Sequence, residues 1–166
     1  MAKEIERKFL VTSDSWRTLP TGDPTPGKPY CQGYIATAQA GQSVRVRIAG
    51  DQGFLTLKGP TKGITRAEFE YPIPVDEAQA MLEMLCKRPF IQKIRYCLPL
   101  GDVVWEIDEF EGENAGLIVA EVELRSEAQP FERPEWLGAE VSGQVRYYNG
   151  SLVTNPYMMW GVGSGA

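Results

Sequence analysis

The sequence predicts a mainly antiparallel β protein with a few covering helices, α+β by count, arranged as a barrel or a sandwich. Three observations point there. Seven or eight short runs have strand composition, Gly- and Pro-bearing breaks separate them, and a single segment has clear helical periodicity. At 166 residues the chain reads as one domain over 1–166, long enough to bury a core.

Residues 1–11 (MAKEIERKFLV) alternate charged and apolar positions and read as a strand. SDSWRTL (13–19) offers a capping residue and a helical turn or two, and TGDPTPGKP (21–29) is loop by its proline and glycine content. YCQGYIAT (30–37), SVRVRIAG (43–50) and GFLTLKG (53–59) follow as strands. GPTKG (59–63) turns the chain into TRAEFEYPIP (65–74), a strand that prolines stop. DEAQAMLEMLCKR (76–88) is the helix: Asp76 caps it, Ala78, Met81, Leu82 and Leu85 recur at helical spacing, and Pro89 ends it. IQKIRYCL (91–98), DVVWEIDEF (102–110) and GLIVAEVELR (116–125) are again strands. The tail holds short-helix candidates at PEWLG (134–138) and RYYNGSLV (146–153), with Trp136 and Trp160 as its anchors.

Composition removes several kinds of chemistry. The chain has no histidine, which excludes Ser-His-Asp and Cys-His mechanisms and any imidazole-held metal. Three cysteines without CxxC spacing (Cys31, Cys86, Cys97) argue against a disulfide framework and a thiolate zinc site, and read as packing thiols. A metal must therefore sit on oxygens, as Mg²⁺, Mn²⁺ or Ca²⁺ do. A net charge of −5 disfavours a broad nucleic-acid surface, and no apolar run approaches a membrane span. With charge from Lys3 to Lys8 and no apolar signal core, the expected location is the cytoplasm, with no nucleic-acid or membrane partner.

The chemistry lies in the parity of the strands. EIERK sets Glu4, Glu6 and Lys8 on one face and Ile5, Arg7 and Phe9 on the other. The same alternation pairs Arg45 with Arg47, Thr56 with Lys58, Arg66 with Glu68 and Glu70, Lys93 with Arg95, Glu106 with Asp108, and Glu121 with Glu123 and Arg125. Each such face, taken alone, reads as the solvated side of an antiparallel sheet. Together they are unusual, because solvated strand faces favour Thr, Ser and Gln, and like charges two apart need opposite charges, metals or ligand groups to face them. If the charged faces point into a barrel, the basic strands suit a polyanion and the acidic strands suit divalent cations. Polyphosphate with Mg²⁺ satisfies both. Alternation does not say which face points inward.

ExExK, RxR, TxKG, RxEFE, KxRY, ExDEF and AEVEL, in this order with QGYI around Tyr34 and a late RYYN, resemble the CYTH domain of the triphosphate tunnel metalloenzymes, in its short single-domain bacterial form. The resemblance runs from Glu4 to about Asn149. It implies a closed eight-stranded antiparallel β-barrel, the triphosphate tunnel, with helices outside and one or two Mg²⁺ or Mn²⁺ ions. It also implies hydrolysis of a triphosphate, inorganic tripolyphosphate foremost, with class IV-type adenylate cyclase and a non-catalytic polyphosphate- or nucleotide-binding protein as alternatives. By position, Arg45, Arg47, Lys58, Arg66, Lys93 and Arg95 match the phosphate-binding set, and Glu4, Glu6, Glu121 and Glu123 match the metal-binding acids. Glu68, Glu70, Glu106 and Asp108 are assigned to metal binding, water positioning or charge balance. Lys8, Tyr34 and Lys93 are the catalytic candidates. Departures at Gln92, Ile94 and Val145 bear on substrate preference and tail closure. The outward apolar faces, with Phe69, Tyr71 and Trp105, need cover from the tail or from a second subunit in a homodimer.

Overall fold

The computed structural model describes residues 3–37 and 41–161. The first two residues of the strand expected over 1–11, and the ends of the domain expected over 1–166, lie outside them.

Among the described residues nine strands and two α-helices form: β1 (Lys3–Val11), β2 (Gly27–Thr37), β3 (Ser43–Ala49), β4 (Gln52–Lys58), β5 (Thr65–Ile73), α1 (Val75–Leu85), β6 (Ile91–Leu100), β7 (Val103–Phe110), β8 (Ile118–Glu123), β9 (Leu137–Glu140) and α2 (Asn149–Thr154). The strands run in the order β5-β4-β3-β2-β6-β7-β8-β1-β9, every pairing is antiparallel, and β5 also pairs with β1. That last pairing closes β1–β8 into the eight-stranded barrel. The seam is short, joining Lys3–Ile5 to Thr65–Ala67. Beyond it β1 diverges, and its second half pairs with β9 outside the ring.

The charged parity points inward. Outside, Ile5, Phe9, Trp105, Ile107, Ala120 and Val122 form a buried cluster that the segments carrying Trp16, Phe131 and Trp136 cover. Trp105 is fully buried at its centre, edge-on to Phe9 at 5.7 Å, Phe131 at 5.7 Å and Trp136 at 5.4 Å. Amphipathic α1 covers β2–β4 through Ala78 and Leu82 against Val46. It lies close because Gly33 and Gly53 are beneath it: a Cβ on Gly33 would meet the Cys86 Cβ at 2.7 Å, and one on Gly53 the Ala78 Cβ at 2.9 Å. The outer faces of Leu57, Phe69 and Tyr71 on β4 and β5 stay exposed.

One end of the barrel interior is apolar. The inward parity of β1, β6, β7 and β8 continues past the charges as Leu10, Ile91, Phe110 and Val119, and these pack with Tyr147, Leu152 and Val153 of the tail. The tail thus covers the end of the barrel rather than its outside. Trp160 anchors it edge-on to Tyr147 and Tyr157, both at 5.1 Å.

Two local expectations are corrected. PEWLG is not a helix: Leu137–Glu140 extends as β9, because the edge of β1 offers free backbone groups and Arg7 on β1 binds Glu140 at 2.6 Å. Asp76 does not cap α1, which starts behind Pro74 without a side-chain cap and ends at Leu85, three residues early, where Cys86 turns extended. The sulfurs expected as packing thiols are free, with Cys31 and Cys86 half-buried and Cys97 exposed. Trp105→Ala is expected to destabilise the fold by about 3–5 kcal/mol, read as a lowered midpoint in urea, because the surrounding aromatic rings cannot collapse into the void.

Candidate functional site

Register alone sets the acids and bases face to face. Across the seam Glu4 stands opposite Arg66, and around the ring Lys58 faces Glu68, Thr56 faces both Glu70 and Arg45, Tyr34 faces Arg45 and Gln32 faces Arg47. On the other side Arg95 faces Asp108, Glu106 faces Glu121, Lys8 faces Glu121 and Glu6 faces Glu123. These side chains line a cavity of about 610 Å³, together with Tyr30 and with tail residues Tyr148, Asn149, Ser151 and Thr154. Every sequence-predicted site residue lines it except Asp108.

Asp108 is fully buried behind the wall. Its carboxylate accepts from Lys93 Nζ at 2.7 Å and from Arg95 Nε at 2.8 Å and Nη2 at 2.9 Å. Both oxygens are therefore engaged, and of the roles assigned to it the geometry favours charge balance over metal binding. The two cations hold its carboxyl below the usual range against the opposing effect of burial.

The basic half is short of anions. Arg47 is 8% exposed and has no carboxylate partner among the described residues; its Nε donates to the Gln32 amide oxygen at 2.8 Å. Burial, then Arg45 and Arg95, push its guanidinium down to about 10. Arg45 reaches Thr56 Oγ1 at 3.2 Å and the partly exposed Glu70 at 3.5 Å, and its buried Nε has no partner. Arg47 and Arg95 lie over the Tyr30 ring at 4.8 and 5.1 Å, which spaces the guanidiniums without neutralising them.

The acidic half is short of cations. Burial, then Glu121 and Glu4, raise the Glu6 carboxyl well above its ordinary value, and no Lys or Arg bridges it among the described residues. Glu68 is pushed up to about 7 by burial and its hydrogen bond with Glu4, and Glu123 is raised by burial and by Glu4 and Glu106. Glu4 goes the other way. Burial would raise it, but Lys58 at 3.3 Å, the Glu68 hydrogen bond and Arg66 at 3.2 Å bring it down to about 2. Glu121 is likewise held well below the usual range, against burial, by Lys8, Arg95 and Lys93.

The two lysines separate. Lys8 Nζ lies 3.3 Å from Glu121, and Glu121 and Glu6 overcome burial to raise it, so it remains an ammonium. Lys93 is fully buried, and burial, aided by Arg95 and Arg47 and opposed by Asp108, lowers it to about 7. Of the catalytic candidates, Lys93 is the one whose hold on its proton is weakened towards neutral pH.

The donors facing the cavity are carboxylate oxygens, which suit a hard cation. Among the described residues they form pairs rather than a closed cluster of three. Pairs are what Mg²⁺ uses when it keeps waters and takes substrate phosphate oxygens into its shell, so the residues present fit it. Sequence reasoning missed Tyr30, Gln32 and Asn149. The first two share the inward parity of Tyr34 on β2, a signal that was available; Asn149 reaches the site only because the tail enters the barrel.

The raised acids fix a pH dependence. With folded values above about 4.5, Glu6, Glu68 and Glu123 contribute stability that is full below that pH and is lost as pH rises, for Glu68 through about 7. A divalent cation held by the ionised carboxylates would oppose that loss. The rise in melting temperature on replacing EDTA with Mg²⁺ is expected to be small at pH 5 and larger at pH 7.5; an equal rise at both would show that these acids are not its ligands.

The model of the CYTH domain matches residues 2–157 of the chain. An inorganic triphosphatase of Acetivibrio thermocellus is 49% identical over 157 residues, covering 95% of this chain and 97% of its own. An inorganic triphosphatase of Nitrosomonas europaea is 38% identical over 152 residues, covering 90% of this chain and 95% of its own. A solved inorganic triphosphatase structure, 36% identical, superimposes with a TM-score of 0.61 over 92% of this chain and 95% of that one. A Pyrococcus furiosus structure at 22% identity and a TM-score of 0.57, covering 75% of this chain and 80% of that one, shares the fold. A barrel with its charges inward, matched along nearly its whole length, makes this chain a member of the CYTH domain family.

Proposed function

We propose that the protein is a divalent-metal-dependent triphosphatase that cleaves inorganic tripolyphosphate to pyrophosphate and phosphate inside the barrel. The observation that carries this is the double deficit of the cavity: buried Arg47 without an anion on one side, and Glu6 without a cation on the other. A metal–triphosphate complex fills both, and the named relatives are inorganic triphosphatases. We place the activity in the cytoplasm, in a single-domain chain or its homodimer.

In this reading Arg45, Arg47, Arg66 and Arg95 bind the phosphate oxygens, as forks where two N–H groups are free, and Lys58 adds a point charge. Glu6, paired with Glu121 or Glu123, would hold the cation; Glu4, Glu68, Glu70 and Glu106 stand around it as water-positioning and balancing acids. A bound Mg²⁺ or Mn²⁺ supplies neutralisation of the phosphoryl oxygens and acidifies a water. Water attacks the terminal phosphorus in line, its proton passes to the Lys93 amine, and the phosphoanhydride P–O bond breaks with pyrophosphate leaving. Lys8 remains charged and stabilises the charge that develops; the Tyr34 hydroxyl, which accepts from Gln32 Nε2 at 3.2 Å, keeps its own proton to donate.

Phosphate release with Mg²⁺ or Mn²⁺ from tripolyphosphate, ATP, thiamine triphosphate and pyrophosphate tests the reading. Fast, metal-dependent release from tripolyphosphate and much slower release from ATP is expected. Cyclic AMP formed from ATP without phosphate release would assign a cyclase, and inactivity towards all four with tight tripolyphosphate binding would assign a binding protein. Glu6→Gln and Arg47→Ala are each expected to abolish turnover with the melting temperature retained; activity in both would overturn the site. Lys93→Arg keeps the charge but removes the base, with an expected loss of about 10²–10⁴-fold in kcat. In the wild type, kcat/KM is expected to rise with pH through about 7 as Lys93 loses its proton.

A further inference from the structure

Two neutral amides join the basic strands beneath the cavity. Lys93 Nζ, besides Asp108, donates to Asn149 Oδ1 at 2.9 Å. The same Asn149 oxygen accepts from Gln32 Nε2 at 3.2 Å, and the Gln32 oxygen accepts from Arg47 Nε at 2.8 Å. Gln32 is fully buried. Arginine, and lysine while protonated, only donate, so in that state both amide oxygens must face the cations and both amide nitrogens must face away from them. Neither amide can flip without leaving a buried ammonium or guanidinium without its acceptor.

We infer that Asn149 and Gln32 form an uncharged positioning relay, through which the first residue of α2 fixes Lys93 and Arg47 in their working places. The inference rests on the triphosphatase reading for its kinetic consequence, and on geometry alone for the relay. Neutrality is the useful property here. A carboxylate would hold Arg47 equally well in direction, but it would cancel the charge that a polyanion needs to find; Lys93, already paired with Asp108, gains a second acceptor without a second negative charge. An amide oxygen holds them and leaves the charge in place. Asp108 already engages Arg95 with both oxygens, so Lys93 swings about that single contact unless a second acceptor fixes it. Asn149 lines the cavity, and its Nδ2 makes no hydrogen bond among the described residues. It is a positioning residue whose own placement depends on Leu152 and Val153 seating the tail in the barrel end.

The test is a double-mutant cycle on Asn149→Ala and Gln32→Ala, assayed with tripolyphosphate and Mg²⁺ and checked for folding by melting temperature. Each variant is expected to lose about 10–100-fold in kcat with KM changed less than about threefold, as for a misplaced catalytic group. The double variant is expected to lose no more than the weaker single, because a relay broken once is broken. Losses that multiply, a rise in KM with kcat unchanged, or full activity in Asn149→Ala would each overturn the relay. An independent readout is the Nζ–H signal of Lys93 in ¹⁵N-lysine-labelled protein, assigned with Lys93→Arg. It is expected to be visible through slow exchange in the wild type and broadened or lost in Asn149→Ala; an unchanged signal would overturn the relay. Should the wild type release no phosphate, the function reading falls, and this signal still decides the relay.

Discussion

Everything in this molecule follows from the burial of charge inside a closed sheet. Moving ionised groups out of water is costly unless each finds an opposite charge or a hydrogen bond. The barrel meets that constraint by register. Antiparallel pairing brings Glu4 to Arg66, Lys58 to Glu68, Arg95 to Asp108 and Lys8 to Glu121, so that much of the charge is compensated by neighbours one strand away. What remains uncompensated is not scattered. Surplus positive charge gathers at Arg45 and Arg47 on β3, and surplus negative charge gathers at Glu6 and Glu123 where β1 meets β8. The site is the residue of an otherwise balanced account, and its ligand is whatever carries both signs.

The same constraint explains the parts that do no chemistry. A barrel whose interior is largely charged leaves much of its apolar packing to the outside, in the aromatic cluster around Trp105 and in the contact of α1 with β2–β4. It also explains the apolar barrel end. Where Ile91, Phe110 and Val119 replace charges on the inward parity, the tail finds apolar partners, and Leu152 and Val153 seal that end. Sealing keeps water from screening the interior from behind, which strengthens every charge interaction in the cavity.

Asp108 and Lys93 show how burial redistributes roles among residues of one type. Asp108 shares a parity with Glu106 and carries the same charge, yet Glu106 borders the cavity while Asp108 sits behind it between two cations. Lys8 and Lys93 are both buried lysines, but carboxylates surround Lys8 and guanidiniums border Lys93, so one holds its proton firmly and the other loosely. No residue identity distinguishes the members of either pair. Their neighbours on adjacent strands do.

The eight barrel strands, their order of charge and the parity of their charged residues were legible in the sequence, because a strand's side-chain period is two and each charged run obeyed it. Even the overlooked Tyr30 and Gln32 followed the rule that placed Tyr34. Family membership was legible for the same reason, since ExExK, RxR, KxRY and AEVEL are inward faces written out in order. Tertiary structure alone decided the rest. Alternation is symmetric between the two faces, so only closure of β1 on β5 determined that charge points in and Trp105 points out. Local propensity made PEWLG a helix, and the open edge of β1 made Leu137–Glu140 a strand. Asn149 reached Lys93 across 56 residues of chain because apolar side chains drew the tail into the barrel end, a contact that no spacing along a sequence encodes.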